Sequence, residues 1–226
     1  MLNELTKAPD TEASSATTGR GMLVVVSSPS GGGKGTLIDR VLKTVPGVSY
    51  SVSYTTRAPR PGEQNGREYF FVSAAEFEAM IGRSELLEWA NVYGHRYGTS
   101  RAQVDRERAA GRDIILEIDV QGAESIRHLV DDVVTVFILP PSFDLLWQRL
   151  IARGTDAPED LDRRLHGAPA EVERYKDFQY VILNDDINRA SAQLASVIYA
   201  ERAKRARQEV KLKGALKDFA SQDRVQ

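Results

Sequence analysis

The chain has no cysteine and only three histidines among its 226 residues. A disulfide framework and a thiolate-held metal are therefore excluded, and the histidines at 95, 128 and 166 are too scattered to form a zinc site. No strong charge of either sign stands out: 30 basic side chains against 32 acidic ones give a formal charge of −2. Nothing global then favours nucleic acid or an anionic membrane, and any anion site has to be local. Long apolar runs are missing too. The strongest, Met22 to Val26 and Val133 to Leu139, fall well short of the ~20 residues that span a bilayer. The first 20 residues are polar and lack the apolar stretch of a secretory signal, so they read as a disordered leader on a cytoplasmic protein. Neither membrane nor nucleic acid is expected as a partner, and a homo-oligomer stays open.

What the chain does contain is an alternation of buried strands and amphipathic helices. Met22 to Val26 is β-branched without period-two alternation, as in a strand covered on both faces of a parallel sheet. After a glycine break, Leu37, Ile38, Val41, Leu42 and Val45 recur at helical spacing until Pro46-Gly47. Ile114 to Ile118, Val133 to Leu139 and Tyr180 to Leu183 read as further buried strands, with a helical stretch from Gly122 to Leu129 between the first two. Such a pattern predicts a doubly wound α/β sheet. Ser49 to Tyr97 differs, with arginine, proline, aromatics and short alternating pieces such as Glu68 to Val72, and reads as an inserted sheet-containing subdomain. Phe143 to Ile151, a break at Gly154 and a charged helix around Leu161 to Tyr175 suggest a lid. Ile187 to Phe219 is mostly helical in pattern, and no repeat or low-complexity tract interrupts the chain.

Ser28-Pro29-Ser30-Gly31-Gly32-Gly33-Lys34-Gly35-Thr36 lies between the first strand and the first helix. That is the context of a phosphate-binding loop: glycines let successive N–H groups point inward, the helix N-terminus adds positive potential, and Lys34 reaches the β- and γ-phosphates of ATP. Two positions depart from the usual pattern. Ser28 replaces the first glycine, and Gly35 stands where a hydroxyl normally meets Mg²⁺. Serine can make the turn at negative φ, and a glycine after the lysine is also found in the adenylate kinases, where Mg²⁺ is held largely through water.

The second substrate has to be read from the insert. Arg57 and Arg60 lie three residues apart in a proline-stiffened polar loop, and two forked guanidiniums suit a dianionic phosphate monoester, with Tyr69 and Tyr97 available to complete the clamp. Guanine presents two adjacent donors beside one acceptor, which calls for a carboxylate next to hydroxyls. Glu88, Ser53 and Thr99 supply that set. In Leu86-Leu87-Glu88-Trp89 the same glutamate also reads as an exposed acid on an amphipathic helix. Asp119 ends an apolar strand, where a metal-side carboxylate or a loop cap would sit, and Glu117 points the same way.

These residues resemble guanylate kinase, from the phosphate loop through Ser51-Val52-Ser53, Thr55-Thr56-Arg57, Pro59-Arg60, Gly62-Glu63 and Tyr69. The likeness continues through Leu87-Glu88-Trp89-Ala90, Tyr97-Gly98-Thr99, Ile118-Asp119, Gln121-Gly122, Arg149-Leu150, Arg153-Gly154-Thr155 and Val181 to Asp185. It implies a P-loop NTPase fold with a doubly wound parallel five-stranded core over 21–52, 104–143 and 170–202. A GMP-binding insert would cover 53–103, a helical lid 144–169, and a basic helical tail 203–226. The implied reaction is ATP-dependent phosphorylation of GMP and dGMP with Mg²⁺. Ser53, Arg57, Arg60, Tyr69, Glu88, Tyr97, Thr99 and Asp119 would hold GMP. Ser28 to Thr36, with Arg149, Arg153, Arg164 and Asn184, would hold ATP, and Asp119 would sit near Mg²⁺ through water. Lys34, Arg57, Arg149, Arg153 and Asp119 would act on the transferring phosphoryl group. Alternatives from other classes are a non-catalytic module that binds phosphorylated partner segments, a kinase for another monophosphate, and nucleic-acid binding by the basic tail.

Overall fold

Apolar residues on both sides of a strand require cover on both faces, and the central strand β1 (Leu23–Ser27) is fully buried. The computed structural model describes residues 19–154 and 158–222. Of the leader expected over 1–20, all but the last two residues fall outside that range. In chain order β1 is followed by α1 (Lys34–Thr44) and β2 (Val48–Tyr50). The segment β3 (Tyr54–Thr55), β4 (Phe70–Phe71), α2 (Ala74–Gly82), β5 (Leu86–Val92) and β6 (His95–Ser100) comes next. Then follow α3 (Arg101–Ala109), β7 (Asp113–Glu117), α4 (Val120–Leu129), β8 (Val133–Leu139), α5 (Phe143–Arg153) and α6 (Pro158–Glu173). A 3₁₀ turn leads to β9 (Tyr180–Leu183), α7 (Ile187–Ala203) and α8 (Arg205–Gln222).

Five strands form a parallel sheet in the order β2-β7-β1-β8-β9. Successive β1 side chains choose opposite layers. Val24 and Val26 pack with Leu37, Ile38 and Val41 of α1 and Leu194 and Ile198 of α7. Leu23 and Val25 pack with Val104 of α3 and Ala123 and Ile126 of α4. Each such side chain stabilises the fold by about 1.5–3 kcal/mol, so the two layers together fix the sheet between its helices. This is the doubly wound α/β core the sequence predicts. Side-chain caps start the helices where the chain leaves a loop: Ser73, Ser100, Asp119, Ser142 and Asp186 each accept an N–H from the first turn, worth about 1 kcal/mol apiece.

A second, four-stranded sheet orders β4-β3-β6-β5 and closes over its own small core of Phe77, Met80 and Leu86. Here Glu88 lies on strand β5, not on a helix. It shares the buried face with Leu86 and Ala90 and pairs across the ladder with Thr99. A register shift between Leu86 and Glu88 interrupts the ladder at that point. The helices α5 and α6 pack through Leu146, Leu150, Leu165 and Ala168, and Gly154 ends α5 in the left-handed region. The mostly helical stretch from Ile187 to Phe219 falls into two helices, because Lys204 takes an extended ψ of 133°. Arg202 at the end of α7 reaches the buried Asp113 at 2.7 Å, and Arg207 of α8 donates to the Asp132 carbonyl at 3.1 Å. Arg207 also lies 3.8 Å from the Asp132 carboxylate, so part of the tail's positive charge is matched by an acid outside it.

Candidate active site

In a parallel sheet the strands' carboxyl ends face one side, and loops from both halves converge where the strand order reverses. Here β1 delivers the glycine loop, β7 delivers Glu117 and Asp119, and β9 delivers Asn184. Two clefts open there and share Ser28, Gly31, Lys34 and Glu117.

The first cleft is bounded by Gly31 to Thr36, Arg149 and Asn184. Gly31 and Gly33 hold φ of 83° and 84°, which a side chain would resist, so the loop's curvature depends on them. Ser28 is not among the residues with positive φ, and its hydroxyl donates to the Pro29 carbonyl at 2.9 Å. Serine is therefore compatible with this turn. Lys34 lies 3.8 Å from a Glu117 oxygen. Arg149 donates to the Gly32 and Asn184 carbonyls at 3.5 and 3.2 Å. Asn184, 3% exposed, gives its Nδ2 to the Gly32 carbonyl at 2.9 Å, so its amide nitrogen braces the loop. Arg153 closes α5, and its side chain lies outside the described residues.

The second cleft brings together Ser53, Arg57, Arg60, Tyr69, Glu88, Tyr97 and Asp119. Arg57 forms a two-pronged bridge to Glu63, with both N–O distances 2.9 Å, and sits 5.4 Å from the Tyr69 ring centroid. Burial opposes its charge, yet the Glu63 bridge outweighs that and holds its pKa above the ordinary value. Its Nε, buried and without a hydrogen-bond partner, is a donor the protein itself leaves unsatisfied, and such a group costs free energy until an acceptor arrives. Tyr69 and Tyr97 meet edge to face at 5.8 Å.

At the far end of this cleft Glu88 is 6% exposed and accepts the Thr99 hydroxyl at 2.6 Å. Thr99 is itself wholly buried behind it. Burial, with the charge of Asp119 adding to it, pushes the Glu88 carboxyl up to about 7, against the Thr99 bond that lowers it. Asp119 caps α4 through the Gly122 N–H at 3.0 Å while lining the cleft. Burial raises its pKa as well, partly countered by that N–H and by Lys34.

Arg164 of α6 donates to the Ser30 hydroxyl at 2.7 Å, so α6 touches the glycine loop. Four residues take parts in the site that the motifs do not assign to them. Glu63 is the partner of Arg57, and Glu171 accepts the Ser30 N–H at 3.0 Å. Tyr93 donates to that same Glu171 at 2.9 Å. Gly122 leaves room for Glu88, since a Cβ there would come within 2.7 Å of the carboxylate. Glu63 was readable as the acid three residues beyond Arg60 across Pro61-Gly62. The other three depend on long-range packing, which no local pattern announces.

The fold and the glycine loop define a P-loop α/β protein with a second cleft facing the loop lysine. The guanylate kinase family model matches residues 20–201. Among its relatives, guanylate kinase of Dechloromonas aromatica (strain RCB) is 53% identical over 180 residues, covering 80% of this chain and 89% of that one. Guanylate kinase of Symbiobacterium thermophilum is 47% identical over 205 residues, covering 88% and 97%. The crystal structure of guanylate kinase from Anaplasma phagocytophilum superposes with a TM-score of 0.72 at 34% identity, over 84% of this chain and 90% of that one. The chain belongs to the guanylate kinase family. Among the described residues no helix is long and apolar enough to cross a membrane.

Proposed function

We propose that this protein transfers the γ-phosphoryl group of ATP to GMP, and to dGMP, by direct in-line attack with Mg²⁺ present. The observation that carries the reading is the second cleft: a buried carboxylate paired with a hydroxyl at one end, two arginines and two tyrosines at the other, and Lys34 beside them. Guanine N1–H and N2–H are the donors such a carboxylate accepts, while adenine would set a lone pair against it. Arg57, Arg60, Tyr69 and Tyr97 take the monophosphate, and Ser53 and Thr99 complete the base site. None of these contacts is assigned to the 2′-hydroxyl, which is why dGMP is included.

On the other side the loop N–H groups and Lys34 take the ATP phosphates, Arg149, Arg153 and Arg164 approach the transferring group, and the Asn184 oxygen faces adenine. A monophosphate is already largely dianionic at neutral pH, so its oxygen attacks without a strong general base. The donor set fits a hydrated magnesium–ATP chelate. Glu117 and Asp119 are hard oxygen donors, and no cluster of three or more metal-ligating side chains occurs among the described residues, leaving most positions to phosphate and water. Asp119 and Glu117 would hold the ion through water, and the ion would neutralise charge on the β- and γ-phosphates. ADP formation from ATP and Mg²⁺ with GMP, dGMP, AMP, CMP and UMP as separate acceptors tests the reading. Strong preference for the two guanine nucleotides is expected; equal use of AMP would overturn it.

A further inference from the structure

Tyr93 adopts a backbone conformation that its side chain disfavours. With Gly94 it forms the two-residue turn from β5 into β6, at φ of 52° and 84°, with Val92 paired to His95. Asparagine, aspartate or glycine is at home in such a turn, and a bulky residue there is strained. On the facing element, Gly167 interrupts the middle of α6, where glycine weakens a helix. The two exceptions meet: a Cβ at Gly167 would come 3.0 Å from the Tyr93 hydroxyl. A strained turn residue that meets a helical glycine at one contact points to a use for that contact.

The contact leads to the phosphate loop. The Tyr93 hydroxyl donates to one oxygen of Glu171 at 2.9 Å, and the other oxygen accepts the Ser30 N–H at 3.0 Å. Arg164 stacks 5.3 Å from the Tyr93 ring centroid and donates to the Ser30 hydroxyl at 2.7 Å. A single side chain of the insert thus reaches the loop along two routes through the lid. We infer that Tyr93 is a positioning residue whose hydroxyl, acting on Glu171, makes the lid's grip on the phosphate loop depend on the insert, so that GMP binding tightens the ATP side. The inference rests on the proposal that the insert takes GMP, and linkage requires the same coupling in reverse.

The test is calorimetric titration of the intact protein with a non-hydrolysable ATP analogue and Mg²⁺, with and without saturating GMP. GMP should tighten analogue binding by about tenfold, the size of one hydrogen bond to a charged acceptor. Tyr93→Phe keeps the ring and its stacking. It should reduce that factor to within about twofold of none, a larger change than in the affinity for either ligand alone. Gly167→Ala should lower the factor in the wild-type background and add nothing to Tyr93→Phe, a non-additivity that a merely structural loss would not produce. Unchanged coupling in Tyr93→Phe, or an equal effect of Gly167→Ala in both backgrounds, would overturn the inference. Failure of GMP to bind the wild-type protein, read in the same titrations, would sink the functional proposal and this inference with it.

Discussion

On the phosphate-loop side of Lys34 the chain offers main-chain N–H groups, a helix start and glycines, with side chains mainly bracing the loop, as Asn184 and Arg149 do at the Gly32 carbonyl. On the insert side it offers almost only side chains, drawn from β5, β6 and the segments flanking β3, several of them already paired. A backbone cradle recognises any polyphosphate, and its strength is spread over many small dipoles. Paired side chains recognise one ligand, because every unmatched partner is left buried without a hydrogen bond. The donor cleft should therefore tolerate most side-chain changes except at Lys34, whereas the acceptor cleft should fail in specificity before it fails in rate.

The largest expected effect lies where the clefts meet. Lys34→Met should lower turnover on the order of a thousandfold, the upper range for removing one charge-stabilising donor. Stability should change little, since the Lys34–Glu117 pair is long and partly exposed. ADP release and a thermal melt check both halves, and near-normal turnover would refute the role given to Lys34.

Next in size is Glu88→Gln, which should lower kcat/KM for GMP by about a hundredfold and shrink the preference over AMP by a similar factor. Its pH behaviour separates this from a general loss. Unfolded, the carboxyl releases its proton near 4.5; folded, it holds it to about 7. The folded state therefore binds the extra proton between those values, and stability falls as pH rises through that window. Guanine needs the ionised form, so GMP affinity of the free protein should rise with pH to a plateau above about 7. Glu88→Gln should lose both slopes and keep only the contribution of the phosphate's own ionisation near pH 6.

Gly122→Ala sharpens the comparison further, because it should part stability from function. Alanine suits the first turn of α4 better than glycine by about 1 kcal/mol, so the melting temperature should hold or rise. Its Cβ, however, would press to 2.7 Å from the Glu88 oxygen, and KM for GMP should increase about tenfold if the carboxylate shifts out of line. An unchanged KM would mean that Glu88 can move without loss.

How much was legible in the sequence follows the same division. The loop from Ser28 to Thr36 announces itself because its parts are contiguous and flanked by a strand and a helix, and β8 and β9 begin and end where the apolar runs do. Glu88 was ambiguous for a physical reason. Leu86 and Leu87 are both apolar, so the period-two signal is blurred at the register shift, and a buried acid on the apolar face of β5 looks like a helix surface. Tyr93, Glu171 and Gly167 were invisible, since their meaning lies in a contact between residues 78 apart in sequence. Asp119 joined two readings that looked like rivals: it caps α4 and lines the cleft with the same carboxylate.

The smallest expected effect falls on the backbone side, at Gly35. A Cβ there would lie 3.6 Å from a Glu117 oxygen, an ordinary contact, so a serine fits without displacing the Lys34–Glu117 pair. If Mg²⁺ is held mainly through water and phosphate, Gly35→Ser supplies one more oxygen to a shell already nearly complete. The Mg²⁺ concentration for half-maximal rate at fixed ATP should then fall by about two- to threefold, with kcat unchanged within about twofold. A collapse of kcat would show that the loop depends on having no side chain at that position. The backbone cradle would then be as exacting as the acceptor cleft, and the contrast between them would be lost.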